Sequence, residues 1–138
     1  MTLSLRDISD RLEIQDTLTA YSTAVDSGQF DDLRAVFTAD ATIDYSATGG
    51  ITGSLDECIV WLGEVLPAFS AYCHFLGNVE IHLNGGTATS RTLCLNPMQT
   101  PDKSAFLLGI YYDDEWVRTV DGWRITSRTL VSKFHSQL

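Results

Sequence analysis

The second half of the chain consists of long strand patterns separated by tight turns, and this limits the possible folds more than any other feature. Asn84-Gly85-Gly86 and Asp121-Gly122 each interrupt a run rich in apolar and β-branched residues. Asn-Gly and Asp-Gly pairs favour the left-handed backbone of short hairpin turns. We therefore predict antiparallel strands at 73–83, 87–98, 105–120 and 123–134, with a loop marked by Pro97, Pro101 and Asp102 between the second and the third.

Helical patterns occupy most of the first half. Ser4 and Ser9 are candidate helix starts, and Gly28 ends the pattern. Apolar residues at helical spacing predict one buried stripe, which consists of Ile8, Leu12, Leu18, Tyr21 and Val25. Beside it runs a polar stripe, which is either a solvated face or the rim of a cavity: Gln15, Thr19, Ser22 and Asp26.

A short helix over 33–37, a strand over 41–46 and a second helix over about 55–66 follow, the last opened by a capping box of Ser54 and Glu57. Helices followed by a run of long antiparallel strands indicate an α+β fold. We expect a cone-shaped α+β barrel in a single domain over 1–138, with a strongly curved, mostly antiparallel sheet covered by the N-terminal helices. The space between these layers is a usual place for a small-molecule site.

The charge balance excludes several classes of partner. Nine Lys and Arg residues stand against 18 Asp and Glu residues, which gives a net charge of −9. Nucleic acid and anionic membrane surfaces are bound through an excess of basic residues, so neither is expected as a partner. No apolar run approaches the roughly 20 residues needed to span a bilayer. The first twelve residues alternate charged and aliphatic side chains, unlike a signal peptide, and we expect a cytoplasmic protein.

Three cysteines, Cys58, Cys73 and Cys94, show no C-x-x-C spacing, and their odd number suits free thiols in a reducing compartment. Any of them could act as a nucleophile. Since each has apolar neighbours in sequence, we expect buried and inert thiols.

Among the three histidines, His74 has apolar and aromatic neighbours, whereas His82 and His135 are expected to be exposed. Strict strand alternation would place His74 on the polar face with Glu80 and His82. An isolated glycine in a strand often marks a bulge that shifts the alternation by one residue. We therefore predict a bulge or a sharp bend at Gly77, which turns His74 towards the interior.

No pattern indicates a metal or a cofactor. Asp26, His74, Glu80 and His82 lack the tight spacing of a zinc or di-iron site. No glycine-rich loop follows a strand and opens a helix, and no G-x-S-x-G elbow is present. The volume of the expected pocket depends on how four large side chains pack: Trp61, Phe69, Leu93 and Met98.

The order of these features resembles a known family. Tyr21-x4-Asp26-Ser-Gly, the segments 32–37 and 40–45, and the closing segments 109–118 and 121–125 are similar to those of SnoaL-like proteins, within the nuclear transport factor 2-like superfamily. The resemblance covers the chain from about Leu5 to Lys133. It implies the cone-shaped fold, and its nearest pattern is that of a cofactor-free lyase branch with dehydratases and a dehydrochlorinase.

The resemblance also implies site residues. His74 matches the base and Asp26 the residue that orients it, while Tyr45 and Tyr21 match the groups that polarise a carbonyl or protonate the leaving oxygen. Arg128 matches a group that stabilises developing negative charge, although strand parity with Arg124 and Thr126 leaves a surface position equally open. Tyrosine at position 21, where the dehydrochlorinase has lysine, favours removal of water. The implied activity is dehydration of a cyclic, largely apolar hydroxylated carbonyl compound. One departure is that a second histidine of scytalone dehydratase, on a middle strand, is replaced here by Gln99 or a neighbour.

Two other functions of this fold remain open. One is a binding or interaction module without chemistry, and the other is an isomerase or cyclase that uses an acid on the sheet. The acids available for the latter are Asp113, Asp114 and Glu115, on a strand section expected to be exposed. Trp116 and Trp123 could form an outer patch for self-association. We expect a homo-oligomer, with a dimer favoured over a trimer.

Overall fold

The computed structural model describes residues 2–138. Two helices and seven strands occur in this order: α1 Leu5–Asp26, β1 Phe37–Asp44, β2 Thr52–Ser54, α2 Leu55–Val65, β3 Ala71–Tyr72, β4 Phe75–Asn84, β5 Thr87–Gln99, β6 Ala105–Thr119 and β7 Gly122–Gln137. Short 3₁₀ segments lie at Phe30–Ala35, Ser46–Thr48 and Leu66–Ala68. In the described part of the chain, no helix is both long enough and apolar enough to cross a membrane.

The strands form one sheet in the order β2-β1-β7-β6-β5-β3, and β4 also pairs with β5. All pairs are antiparallel except β1 with β7, which are parallel. Register shifts interrupt several of the ladders, and such irregularities bend and twist strands. The predicted α+β fold, with a curved and mostly antiparallel sheet covered by helices, is confirmed.

Helix α1 begins and ends where its capping chemistry dictates. The Ser4 hydroxyl accepts a hydrogen bond from the Asp7 backbone N–H, and Gly28 takes a left-handed φ of +74° just after the end. The predicted stripe is wrong in the first half of the helix, because Ile8 and Leu12 are exposed. The buried face there runs through Asp10 instead, whose carboxylate accepts hydrogen bonds from Trp123 Nε1 and Arg118 Nη2.

The capping box at Ser54 and Glu57 is present as predicted, and it opens α2. The two helices pack against β1, β4 and β7 and so cover one face of the sheet. Alternate residues of the central strands point to that face; on β6 they are Ile110, Tyr112, Asp114 and Trp116. Most of the core is formed by these residues and by the apolar faces of the helices.

The predicted irregularity at Gly77 is confirmed, since the pairing of β4 with β5 shifts register between Leu76 and Val79. The strand predicted for 73–83 begins two residues later than expected, because β4 starts at Phe75. A separate two-residue strand, β3, ends at Tyr72. Cys73 and His74 therefore lie in a break at the edge of the sheet.

The expected outer patch of Trp116 and Trp123 does not exist, because both side chains are buried. Trp116 shares the inward face of β6, and its Nε1 donates to Ser90 Oγ at 2.8 Å. Trp123 packs under α1, where its Nε1 donates to Asp10 Oδ1 at 3.0 Å. A buried indole is stable when its N–H has such a partner.

The expectation of buried thiols holds for two of the three cysteines. Cys58 and Cys94 are buried, and burial raises the pKa of each thiol to about 11. Cys73 is exposed, contrary to the prediction. It lies in the break before β4, between two half-buried residues, and it borders Pro97 and Gln99 in a shallow groove.

Candidate active site

A cavity of about 370 Å³ lies between the inner face of the sheet and the two helices. Its size is within the roughly 300–1,000 Å³ of small-molecule pockets. Trp61, Phe69 and Met98 line it as predicted, whereas Leu93 is not among the lining residues. Leu93 faces the other side of the sheet, where its side chain packs beside Gly77. Most of the remaining wall is aliphatic or aromatic, and a few polar groups converge on the space: Tyr21, Tyr45, Thr48, His74, Asn96, Tyr112, Ser132 and His135.

Two of the predicted site residues, Tyr21 and Tyr45, meet at the cavity wall. Tyr21 lies on the buried face of α1, and Tyr45 follows the last residue of β1. Their hydroxyl oxygens are 2.8 Å apart, so one phenol donates a hydrogen bond to the other. One O–H proton of the pair is then left for an oxygen atom of a ligand.

Burial raises the pKa of both phenols above the ordinary value of 10, and it does so most for Tyr45. For Tyr21, the charge of Arg128 opposes this effect in part. The hydroxyls therefore stay protonated at neutral pH. The pair offers a hydrogen-bond donor inside an apolar cavity, where such a bond is electrostatically stronger than in water.

His74 and Asp26 form the second polar cluster. The Asp26 Oδ1 atom lies 2.7 Å from His74 Nδ1, and its Oδ2 atom accepts the His74 backbone N–H at 3.0 Å. The Ser22 hydroxyl donates to the His74 carbonyl at 2.9 Å. The His74 side chain is only 8% exposed and lines the cavity. The Asp26 side chain is 27% exposed and contacts His74 on the side away from the cavity. Of the polar stripe of α1, Ser22 and Asp26 hold His74 from outside the cavity, while Gln15 and Thr19 are exposed.

The electrostatics of Asp26 fit a residue that holds a histidine. Partial burial favours the neutral acid, but the hydrogen bonds from the ring and backbone of His74 outweigh it and lower the pKa of Asp26. The carboxylate is therefore ionised at neutral pH and accepts the Nδ1–H of His74. In the neutral form of the imidazole, Nε2 is then the nitrogen without a proton, and it can act as a base.

Arg128 is fully buried, and the structure places it behind the cavity wall. Its guanidinium binds Asp114 in a bidentate pair at 2.7 and 2.8 Å. The ring centroids of Tyr21 and Tyr112 lie 4.3 and 4.0 Å from its Cζ atom. Although burial lowers the pKa of Arg128, the Asp114 carboxylate raises it by more, so the guanidinium stays charged.

The expectation that Asp113, Asp114 and Glu115 share an exposed section is wrong for Asp114, which is 3% exposed. Alternation along β6 turns Asp114 inward beside Tyr112 and Trp116, where the charge of Arg128 compensates it. Asp113 and Glu115 point to the opposite face, and Asp113 pairs there with Arg91. Among the described residues, no carboxylic acid lines the cavity.

Comparison with known proteins defines the family. The model of the SnoaL-like domain matches residues 6–129. The chain belongs to the SnoaL-like family. An uncharacterized protein of Mycobacterium tuberculosis strain H37Rv is 49% identical over 138 residues, which cover 99% of this chain and 94% of that protein.

Solved structures of SnoaL-like folds superpose closely on this chain. A protein of Novosphingobium aromaticivorans, provisionally described as a scytalone dehydratase, gives a TM-score of 0.85 at 19% identity, with 95% and 89% of the two chains covered. A hexachlorocyclohexane dehydrochlorinase from Novosphingobium barchaimii gives 0.82 at 18% identity, with 95% and 91% covered. At these identities the likeness shows a shared fold.

Five polar cavity residues of this SnoaL-like chain were not singled out from the sequence as site residues: Thr48, Asn96, Tyr112, Ser132 and His135. Tyr112 lies two residues after Ile110 on β6 and shares its inward face, so strand alternation could have identified it. Gln99 pairs with Ala71 and Ala105 at the end of β5 and does not line the cavity, whereas Asn96 does. His135 is exposed as predicted, but it lies on β7 at the cavity mouth, 5.0 Å from Phe106 between ring centroids.

Metal ligands are not clustered in this SnoaL-like structure. Within residues 2–138, no group of three or more His, Cys, Asp or Glu side chains is arranged to hold a metal ion. The polar groups of the cavity are phenols, two imidazoles, an amide and hydroxyls, which suit hydrogen bonding and proton transfer.

The buried pair of Asp114 and Arg128 leads to a stability prediction. Asp114→Asn removes the charge that compensates a fully buried guanidinium, and such a loss costs about 3–5 kcal/mol of unfolding free energy. Asp113→Asn is the matched control, because the neighbouring carboxylate pairs with Arg91 near solvent. Urea unfolding should show a much larger loss for Asp114→Asn. Equal losses for both variants would contradict this view of the buried pair.

The lowered pKa of Asp26 leads to a prediction about pH. Because folding lowers this pKa, the ionised carboxylate stabilises the native state at pH values above 3.8, the ordinary pKa of an aspartate. This stabilisation is lost as the pH falls through the lower pKa that Asp26 has in the folded protein. The thermal midpoint of Asp26→Asn should therefore lie below that of the wild type at neutral pH, and the gap should close in acid. Asp16→Asn, exposed on the same helix, should change the midpoint little. A gap that does not depend on pH would contradict the prediction.

Proposed function

We propose that this SnoaL-like protein is a cofactor-free lyase that removes water from a cyclic, largely apolar hydroxylated carbonyl compound. One observation carries the proposal. The imidazole of His74, held by Asp26 at 2.7 Å, lines the same cavity as the hydrogen-bonded phenols of Tyr21 and Tyr45. A base and a donor to an oxygen atom thus face one apolar space, as a proton abstraction beside a carbonyl requires.

In the first step, Nε2 of His74 removes a proton from the carbon next to the carbonyl. The electron pair of the broken C–H bond moves towards the carbonyl, whose oxygen gains negative charge. A hydrogen bond from the phenol pair stabilises this charge. Asp26 stabilises the imidazolium that forms and keeps the ring in one orientation, as the third group of a catalytic triad does. A positioned base of this kind typically contributes about 10²–10⁴-fold to the rate.

In the second step, the electron pair forms a carbon–carbon double bond while the β-carbon loses its hydroxyl group. The leaving oxygen takes a proton from the imidazolium or from a phenol and departs as water. If a phenol supplies the proton, the imidazolium then returns one to the phenolate, so both routes end with a neutral imidazole and a neutral phenol. Arg128 supports this step from behind, because its charge acts on the rings of Tyr21 and Tyr112 without contact to the cavity.

Several observations support this reaction class. The names of the two solved structures, a dehydrochlorinase and a provisional dehydratase, both denote eliminations that form a double bond. Tyr21 supplies a neutral donor, which suits a hydroxyl leaving group better than chloride, because chloride needs no proton to leave. The apolar walls formed by Trp61, Leu66 and Phe106 favour a ring that carries few charges.

Two other functions of the fold are less well supported. An isomerase or cyclase would need an acid on the sheet that faces the cavity, and Asp114 instead binds Arg128 behind it. A binding module would need no base, and the three hydrogen bonds that hold His74 would then have no chemical consequence.

The proposal is tested by screening cyclic β-hydroxy ketones for dehydration, which is measured by the ultraviolet absorbance of the conjugated enone formed. His74→Ala should lower the turnover of any active compound by about 10²-fold or more, because it removes the base. His82→Ala is the matched control: His82 also pairs with a carboxylate, Glu80, but it lies on the exposed face of β4.

Equal turnover by wild type and His74→Ala would remove the proposed base. A wild-type protein that binds these ketones without turning them over would favour the binding module. His82→Ala should turn over any active compound at the wild-type rate.

We also propose that the protein is cytoplasmic and self-associates. Since Trp116 and Trp123 are buried, an interface would have to use other residues. Phe75 and Phe134, which are 65% and 43% exposed, lie away from the cavity on the outer face of the sheet. Light scattering in solution distinguishes a dimer, which we favour, from a trimer or a monomer.

A further inference from the structure

One buried polar atom of the cavity wall, the side-chain oxygen of Asn96, has no hydrogen-bond partner among residues 2–138. Asn96 lies on β5, and only 6% of the residue is exposed. It lines the cavity between Met98 and the apolar residues Leu108 and Ile110 of β6. A buried amide without a partner destabilises the folded protein, so its presence here needs an explanation.

The sheet places Asn96 next to the proposed base. Phe75 pairs with Leu95, and the Cys73 backbone N–H donates to the Pro97 carbonyl at 3.3 Å. His74, in the break before β4, therefore lies across from Asn96 of β5, and both side chains line the cavity. Thr92, on the same face of β5, also has a buried oxygen without a partner, but it does not line the cavity.

We infer that Asn96 is a substrate-binding residue that selects a hydroxyl group on the ring of the substrate, close to His74. A half-turn of the amide exchanges its oxygen and nitrogen, so Asn96 can present either an acceptor or two donors to the cavity. A hydroxyl group matches both arrangements, since it donates and accepts. A purely hydrocarbon ring leaves the amide unpaired, and sites with buried polar groups discriminate strongly against such analogues.

This inference rests on the proposed function for the ring and its carbonyl, and it adds a second polar feature to the substrate. The carbonyl binds at the phenols of Tyr21 and Tyr45, and the further hydroxyl binds at Asn96. The substrate class is thereby narrowed to cyclic carbonyl compounds that carry, besides the leaving hydroxyl, a second ring hydroxyl close to the carbon that loses its proton. That second hydroxyl stays on the ring and orients it against His74.

Binding of non-reactive probes tests the inference apart from catalysis. The probes are indanone and its ring-hydroxylated isomers, whose phenolic hydroxyl cannot be eliminated. Calorimetric titration of the wild-type protein should show that at least one hydroxylated isomer binds roughly ten-fold more tightly than indanone, the effect of about one good hydrogen bond. Asn96→Leu should abolish this preference and leave the affinity for indanone unchanged or higher.

Three further variants make the outcome decisive. Met98→Leu changes the same wall two residues along β5 and should keep the preference. Asn96→Ala removes the amide without adding bulk and should lose the preference even if Asn96→Leu fails to fold. His74→Ala should keep the binding preference even though it removes the proposed base. Loss of activity and loss of the binding preference can therefore be told apart. A preference that survives removal of the amide, or a wild type that prefers none of the isomers, would overturn the inference.

Discussion

The carboxylate of Asp26 joins the last turn of the first helix to the break between β3 and β4, and the candidate site depends on this contact. Cys73 and His74 belong to neither strand, so their backbone has few partners in the sheet. Asp26 binds both the backbone N–H and the ring of His74, and the Ser22 hydroxyl binds its carbonyl. Backbone groups that leave a ladder need such partners. The same contacts that close this gap also turn the imidazole into the cavity.

The buried pair of Asp114 and Arg128 supports the opposite side of the cavity. Burying two charges is costly, and replacing such a pair by apolar residues often stabilises a protein. Its position gives it a further effect, because the guanidinium packs against the faces of Tyr21 and Tyr112. A cation on a ring face attracts the ring, fixes its orientation and favours negative charge on a phenol oxygen. The cavity is thus lined by uncharged and mostly apolar groups, while Asp26, Asp114 and Arg128 lie behind the lining residues.

Local signals in the sequence were sufficient for most of the fold but for only part of the site. Turn glycines, the capping box at Ser54 and the irregularity at Gly77 act within a few residues, and the structure contains all of them. The expected positions of Asp114, Trp116 and Trp123 are wrong, because strand pairing and the packing of the helices decide which face of each strand is covered. A local sequence pattern does not show which of the two faces that is. Arg128 depends on Asp114, fourteen residues earlier, and no local pattern predicts the pairing. The family resemblance identified Asp26 and His74 as partners, although 48 residues separate them.

The central claim is that Asp26 holds His74 with Nδ1 protonated and Nε2 free as a base in the cavity. Nitrogen-15 NMR of histidine-labelled protein at neutral pH reports the protonation of each ring nitrogen. We expect a protonated Nδ1 and an unprotonated Nε2 for His74, and loss of this single tautomer in Asp26→Asn. A His74 ring protonated on Nε2 and free on Nδ1, or a tautomer mixture that Asp26→Asn leaves unchanged, would contradict the claim.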